Sequence, residues 1–346
     1  MKAIRKVEPG KGALYTDVPI PEITSGDEVL VKVKAAALCK SDVDVYEWTP
    51  LVRDLKLPLP ITMGHEFMGE VVEIGRDVKG IAVGDHVVGE THVPCGYCYT
   101  CRTGNQHICT NNMGVLGRSF DGCFAEYIKI PVKSAIKMDP GIPFEHGAVM
   151  EPLGTALHAL SKAEIGGKSI AILGCGAIGL MSIELARILG ASKIFALSTT
   201  KDKLEKAAEL GADVVINGKE EDLVEVVMQH THGQGVDVAI EYTGNQKVIN
   251  QMINIMKTAG TCVFVGMIDY PLTFENFMLK AVYKELILTG IFGRRMYETW
   301  ETLNNLLEVG KINVSNYIGP KVPLERFEEA VALSASTVGR VILEIP

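Results

Sequence analysis

The sequence predicts an α/β protein in two parts: a β-rich N-terminal domain and a doubly wound parallel sheet. Three observations carry this. First, Ser169–Leu173 is a short apolar run rich in β-branched residues, the pattern of a parallel strand buried on both faces. Gly174, Gly176 and Gly179 follow it as G-x-G-x-x-G, and Leu180–Leu189 then carries apolar residues at helical spacing. Second, short strands and helices alternate after this motif, which implies parallel β-α-β units. Third, the residues before it read as short strands broken by Pro and Gly, with a dense cluster of cysteines. A glycine motif set between a strand and a helix is the signature of a dinucleotide site. Gly174 makes the turn, Gly176 admits a pyrophosphate, Gly179 lets helix and strand approach, and Ala177 and Ile178 open the helix whose N-terminus faces the phosphates.

A length of 346 residues sets a prior of about two domains. The formal net charge of −8 argues against a general nucleic-acid binder or a basic membrane-surface protein. No run reaches the roughly 18 apolar residues of a membrane helix; Ile170–Ile183 stops at Glu184. The N-terminal Met-Lys-Ala-Ile-Arg-Lys lacks the apolar core of a signal peptide, so a cytoplasmic location is expected. There, eight cysteines are expected to bind metal or to pack rather than to form disulfides.

In chain order, Met1–Val7 reads as a strand, and Glu28–Ala36 alternates Val29, Val31 and Val33 with Leu30, Lys32 and Lys34. That strand runs into Ala37-Leu38-Cys39-Lys40-Ser41-Asp42. After a Pro-rich loop come Gly64-His65-Glu66 and an alternating strand, Met68–Ile74. Glu151-Pro152 sets an acid among apolar residues. Cys39, His65, Glu66 and Glu151 form a plausible zinc set, because thiolate, imidazole and carboxylate all suit that ion and one position can open for substrate.

Cys95-x2-Cys98-x2-Cys101-x7-Cys109 is the most specific local signal. Four thiols in a Gly-containing loop can close around one tetrahedral zinc, which would then be structural; an iron–sulfur cluster is the alternative. Cys123, Cys175 and Cys262 read as small core residues. His92, just before the lobe, is a candidate substrate-pocket residue, while His86, His107, His146, His158, His230 and His232 are read as structural.

Beyond the glycine motif, strands are expected at Ile194–Leu197, Val214–Ile216, Val236–Ile240 and Thr261–Val265. Helices are expected at Asp202–Leu210, Glu221–Gln229 and Val248–Met256. Val265 and Gly266 are further cofactor-binding candidates. An acidic residue at the end of the second strand would accept the adenosine ribose hydroxyls. Here the chain has Ser198-Thr199-Thr200-Lys201, which can hydrogen-bond and charge-pair a 2′-phosphate, so NADP(H) is expected over NAD(H); the bland reading is a polar loop of little preference. A strand at Leu286–Ile291, helices at Trp300–Leu307 and Leu324–Ser334 and a strand at Arg340–Ile345 complete the chain. Asp269–Thr273 and Phe292–Met296 are expected near the nicotinamide. Arg294 is either a contact for an anionic substrate group or a surface residue.

Cys39-Lys-Ser-Asp, Gly64-His65-Glu66, the four-cysteine lobe, Glu151-Pro152-Leu153 and the Gly174 motif, in that order and spacing, resemble the medium-chain zinc-dependent alcohol dehydrogenase superfamily over essentially the whole chain. Within it the chain is most similar to L-threonine 3-dehydrogenases, through Asp42–Trp48, Gly89–Cys95 and Gly293–Trp300, with polyol (sorbitol-type) and butanediol dehydrogenases next. The resemblance implies a GroES-like catalytic domain over residues 1–152 with a structural-zinc lobe at about 92–112. It further implies a Rossmann domain over 153–288 and a C-terminal segment, 289–346, that returns to the first domain. It implies one catalytic zinc on Cys39, His65, Glu66 and, at rest, Glu151, and one structural zinc on Cys95, Cys98, Cys101 and Cys109. A homotetramer or homodimer is also implied.

Two departures from the family pattern matter. Lys40 stands where a glycine is usual, and Asp44 where the proton-relaying histidine is usual; Ser41 keeps the hydroxyl. Ser41 would take the alcohol proton and Asp44 would pass it on through water, unless Asp44 is simply a solvated loop acid. The second departure is the missing acid near Ser198. The expected activity is hydride transfer between a nicotinamide cofactor and a secondary alcohol or ketone, with L-threonine first and a polyol or vicinal diol second. Both departures favour ketone reduction as a working direction. The rival reading is a non-catalytic NADPH-binding sensor or structural protein.

Overall fold

The structure, a computed structural model, describes residues 1–111 and 113–346. The far end of the expected cysteine lobe, Asn112, lies outside the described residues. The chain divides into two compact units: Met1–Pro152 with Arg295–Val309 and Asn313–Pro346, and Leu153–Arg294 with Gly310–Ile312.

The first unit is built on a seven-stranded sheet whose central strand is Glu28–Ala37. Val29, Val31 and Val33 are buried as the alternation predicts, and Lys32 and Lys34 are half-exposed. Glu66–Ile74 lies antiparallel beside this strand, with Glu66 opposite Ala37. On the other side Arg340–Glu344, from the C-terminal end, pairs antiparallel, with Ile342 also opposite Ala37. These two registers gather the ends of three distant segments at one point. Phe67, Val71, Val87, Phe124, Ile128, Phe327 and Leu343 fill the core around them.

Two helices depart from the sequence expectation. The strand was expected over Glu28–Ala36 and no element was assigned just beyond it, where Lys40–Glu47 is a helix. Cys39 occupies the N-cap, and its N–H donates to Asp42 Oδ2 at 3.0 Å, so Cys39-x-x-Asp42 acts as half of a capping box. Met150–Ser161 is also helical and places Glu151 in its first turn.

The second unit holds a six-stranded sheet, parallel throughout. Its order, in strands numbered along the chain from Ser169–Leu173, is 3-2-1-4-5-6. The direction reverses between Ser169–Leu173 and Val236–Glu241, and the glycine motif leaves the sheet there. All of Ser169–Leu173 is buried, as a strand covered by helices on both faces must be. The helices are Ala177–Ile188, Lys201–Glu209, Leu223–His230 and Gln246–Asn254. A β-rich domain and a doubly wound parallel sheet are therefore both present.

Candidate active site and metal centres

The sheet registers of the first unit assemble one polar cluster. Ligand atoms of Cys39, His65 and Glu66 all lie within 4.8 Å of one another. Cys39 follows the central strand, Glu66 opens the strand paired to it, and Arg340 opens the strand on its other flank. The Arg340 guanidinium donates to Glu66 Oε1 at 2.8 Å and lies 3.7 Å from Cys39 Sγ. Asp42 closes the arrangement: Oδ2 caps the helix while Oδ1 pairs with His65 Nδ1 at 3.1 Å. A carboxylate on Nδ1 fixes the tautomer and leaves Nε2 as the ring's acceptor, the second-sphere pattern of a metal-binding histidine.

The electrostatics fit a cation. Burial raises the Cys39 thiol, but the Arg340 guanidinium and the His65 ring outweigh it and bring the group down to about 6. Burial lowers His65, yet Asp42 and Cys39 hold its proton and set it well above its ordinary value. Burial also holds Glu66 well above the carboxylate range, against the pull of Arg340, and its Oε2 is fully buried with no partner among the described residues. A buried carboxylate with an orphaned oxygen beside an acidified thiol and an oriented imidazole is a donor set short of one positive charge. Cys, His and carboxylate together suit zinc.

Glu151 stands at the edge of this cluster. It is not one of the mutually close ligand atoms; its Oε1 accepts a hydrogen bond from Thr91 Oγ1 at 2.7 Å. Ser41 is buried in the first turn of the capped helix. Asp44 is not a solvated loop acid: it lies on the helix, 7% exposed, and pairs with the Lys40 ammonium one turn back. The Lys40 side chain is itself 70% exposed, so this pair joins the interior to solvent.

His92 is buried and held by Glu90. Its Nδ1 and its backbone N–H both meet Glu90 Oε1, at 2.6 and 2.9 Å, and Glu90 Oε2 accepts from Trp300 Nε1 at 2.8 Å. From the same stretch, Thr91 reaches Glu151. The sequence reading missed Thr91, Glu90 and Arg340 as site residues, and gave Asp42 no role. Of these, only Asp42 left a local signal, the Cys39-x-x-Asp42 cap.

Cys95, Cys98, Cys101 and Cys109 form the second cluster, again within 4.8 Å of one another. Cys98 Sγ is 3.4 Å from Cys101 Sγ and 3.7 Å from Cys109 Sγ, and Cys95 Sγ is 3.9 Å from Cys101 Sγ. Zn–S bonds of about 2.3 Å in a tetrahedron put sulfurs roughly 3.8 Å apart, so the spacing suits one ion rather than a multi-iron cluster. The thiols are unequal. The Thr100 hydroxyl and backbone N–H groups bring Cys98 down to about 4, and burial pushes Cys101 up to about 12. All eight cysteines are free thiols.

In the second unit, Gly174 has φ +111°, and a Cβ there would lie 2.8 Å from Thr243 Cγ2. A Cβ on Gly179 would meet Gly174 O at 1.9 Å, so the close crossing of helix and loop requires glycine. Gly176 caps the helix Ala177–Ile188 without any side-chain bond, which leaves the first-turn N–H groups, including those of Ala177 and Ile178, without a side-chain cap, as at helix N-termini that accept anions. Ser198 ends its strand, buried, and accepts from Thr200 N–H at 3.3 Å; Thr199, Thr200 and Lys201 are exposed. Lys203, half-buried, lowers the Cys175 thiol electrostatically against burial that pushes it up to about 12, so its charge bears on the glycine loop. The N–H groups of Val265 and Gly266 both donate to Glu241 O at 3.0 Å, and the buried Glu241 carboxylate accepts from Gly244 N–H at 2.9 Å. Arg294, read as a possible surface residue, is fully buried.

Comparison with known proteins agrees with this geometry. Residues 25–140 match the alcohol dehydrogenase GroES-like domain and residues 177–309 the zinc-binding dehydrogenase family. The chain is 41% identical to an L-threonine 3-dehydrogenase of Caldanaerobacter subterraneus, over 99% of this chain and 98% of that one. Among solved structures it is similar to a zinc-binding dehydrogenase of Sinorhizobium meliloti bound to NADP (TM-score 0.91, 30% identity, 99% and 98% of the two chains). It is also similar to the 2R,3R-butanediol dehydrogenase of Bacillus subtilis (TM-score 0.87, 30% identity, 99% of each chain). The non-catalytic reading falls with these matches. With its GroES-like and Rossmann domains, its cysteine–histidine–glutamate cluster and its glycine motif, the chain belongs to the medium-chain zinc-dependent alcohol dehydrogenases, NAD(P)-dependent oxidoreductases of the CH–OH group.

Proposed function

We propose that this enzyme oxidises the secondary alcohol of L-threonine or a close amino-alcohol analogue. The observation that carries the reading is the full-length identity of 41% to an enzyme named for that reaction. Cys39, His65 and Glu66 would hold the catalytic zinc, with the Glu151 carboxylate beside them and bonded to Thr91. Cys95, Cys98, Cys101 and Cys109 hold the structural ion. When bound, the zinc supplies Lewis acidity at the alcohol oxygen and the nicotinamide supplies a two-electron hydride acceptor. Asp42 orients the His65 ring, and Arg340 balances the negative charge of Cys39 and Glu66. Ser41 receives the alcohol proton, and the Asp44–Lys40 pair stands in for the usual histidine as its exit to solvent.

The cofactor reading is NADP(H) over NAD(H). No carboxylate ends the strand Lys193–Ser198; the hydroxyls of Ser198, Thr199 and Thr200 and the charge of Lys201 stand there instead, with Lys203 on the neighbouring turn. The Gly174, Gly176 and Gly179 loop takes the pyrophosphate.

A vicinal diol is the second reading, supported by the likeness to the butanediol dehydrogenase and by the loss of the relay histidine at Asp44. Initial rates on zinc-loaded protein with L-threonine, 2,3-butanediol and several polyols, each with NAD and NADP, test both. Turnover of L-threonine above the others supports the first reading. Turnover of diols with threonine inert replaces it with the second.

The enzyme further acts as a homo-oligomer, a dimer or a tetramer. The last strand of the parallel sheet, Ile287–Gly290, pairs on one side only among the described residues, and it exposes Ile287 and Leu288 beside Met278, Leu279, Val282 and Tyr283. Sedimentation equilibrium at micromolar protein checks this; a monomer rejects it. Eight unpaired cysteines favour the reducing cytoplasm, and among the described residues no helix is long and apolar enough to cross a membrane.

A further inference from the structure

We propose that Thr91 is a positioning residue that holds Glu151 off the catalytic metal position. Three observations lead here. Thr91 Oγ1 donates to Glu151 Oε1 at 2.7 Å, with both residues buried, at 5% and 8% exposure. Glu151 lies near enough to Glu66 and Arg340 to act on both electrostatically. Yet its carboxylate lies outside the group of Cys39, His65 and Glu66 atoms that approach one another within 4.8 Å.

The helix Met150–Ser161 fixes the backbone of Glu151, so the side chain has only its own rotamers with which to enter or leave the cluster. A buried carboxylate takes the strongest partner in reach. With a cation bound at Cys39, His65 and Glu66, that partner is the cation, unless another donor competes for it. Thr91 is that donor. Its β-branched side chain is stiff at χ1, so the hydroxyl is held in place at little entropic cost. The short, buried hydrogen bond keeps Glu151 in the withdrawn position and would leave room for the alcohol beside an ion held by Cys39, His65 and Glu66. Thr91 lies outside the proposed ligand set, and it acts through Glu151. A residue without a hydroxyl here would let Glu151 settle on the metal and block the substrate.

The inference rests on the proposed ligand set, and the experiment separates the two. Zinc-loaded wild type, Thr91→Val, Thr91→Ser, Glu151→Gln and Cys39→Ala are mixed with a chromophoric chelator. The fast phase of zinc release is followed, together with the visible absorption of the cobalt-substituted proteins. Thr91→Val, nearly isosteric, is expected to release the catalytic zinc about tenfold more slowly, to show a cobalt spectrum altered from that of wild type without substrate, and to raise KM about tenfold. Thr91→Ser keeps wild-type behaviour. Glu151→Gln releases zinc within about twofold of wild type, a result that does not depend on the folding of the Thr91 variants. Thr91→Val releasing zinc at the wild-type rate or faster overturns the inference, and so does a tenfold faster release from Glu151→Gln. If Cys39→Ala keeps a second zinc, the ligand set fails and the inference with it. If Cys39→Ala loses that zinc while Thr91→Val behaves as wild type, the inference alone fails.

Discussion

Asp42 serves two neighbours at once: Oδ2 caps the helix that begins after Cys39, and Oδ1 holds the ring of His65 at 3.1 Å from Nδ1. One carboxylate thereby ties the positions of two metal-ligating candidates 26 residues apart to a single helix turn. Asp42→Asn removes the charge and keeps the shape. Zinc affinity at the Cys39 site is expected to fall about 10–100-fold, with the cysteine lobe still loaded, as metal analysis after dialysis against a graded chelator will show. An affinity within twofold of wild type would leave Asp42 with the helix cap alone.

On the proposed reading, cofactor choice is set at the end of the strand Lys193–Ser198. Lys203→Ala is expected to weaken NADPH binding about tenfold and to leave NADH nearly unchanged. Ser198→Asp should favour NADH by placing a carboxylate where a 2′-phosphate would sit. Titration of the reduced cofactors by their fluorescence measures both. Equal losses for the two cofactors would place Lys203 on the shared pyrophosphate.

Acid stability should depend on Asp237. Burial raises its carboxyl, but the Lys257 ammonium at 2.8 Å and the hydroxyl and N–H of Ser169 outweigh that and hold it below the ordinary 3.8. A carboxyl depressed in the folded state contributes stability above its unfolded pKa and loses it as pH falls through the folded value. Asp237→Asn is therefore expected to cost about 1–2 kcal/mol at neutral pH, and the gap to wild type to close below 3.8. Urea unfolding at a series of pH values checks the sign; a gap that widens on acidification contradicts it.

The cysteine lobe should need its ion. Cys98 is the thiol brought down to about 4, the readiest of the four to bind as thiolate. Cys98→Ser is expected to lose one zinc per chain and to become sensitive to proteolysis between Cys95 and Cys109. The parallel-sheet unit should keep its helical circular-dichroism signal. Unchanged zinc content would count against a structural ion here.

What could be read from the sequence follows the range of each interaction. Ser169–Leu173 is a strand over the residues expected, because a strand buried on both faces leaves an unbroken apolar run. Val29, Val31 and Val33 announce their inward face by alternation alone. The four lobe cysteines lie in one short loop, so their spacing already implies that they converge. Arg340 lies 274 residues from Glu66, and only the register of the last strand against Ala37 brings them together. Thr91 is a threonine with ordinary neighbours, and nothing local separates it from His92, whose ring is occupied by Glu90. The helix Lys40–Glu47 was legible but masked: its apolar residues continue the strand pattern, and the cap at Cys39 and Asp42 is the signal that ends it. The sequence left Asp44 open between a proton carrier and a solvated loop acid, because its burial and its pairing with Lys40 arise only once that helix forms.

The most direct test of the account is zinc content and turnover measured together on wild type and Cys39→Ala. Wild type should hold about two zinc per chain and form reduced cofactor with a secondary alcohol. Cys39→Ala should hold about one, keep the lobe intact, and lose turnover by about a thousandfold or more. A Cys39→Ala protein that retains two zinc and normal turnover would contradict the claim that Cys39, His65 and Glu66 hold the zinc on which the reaction depends.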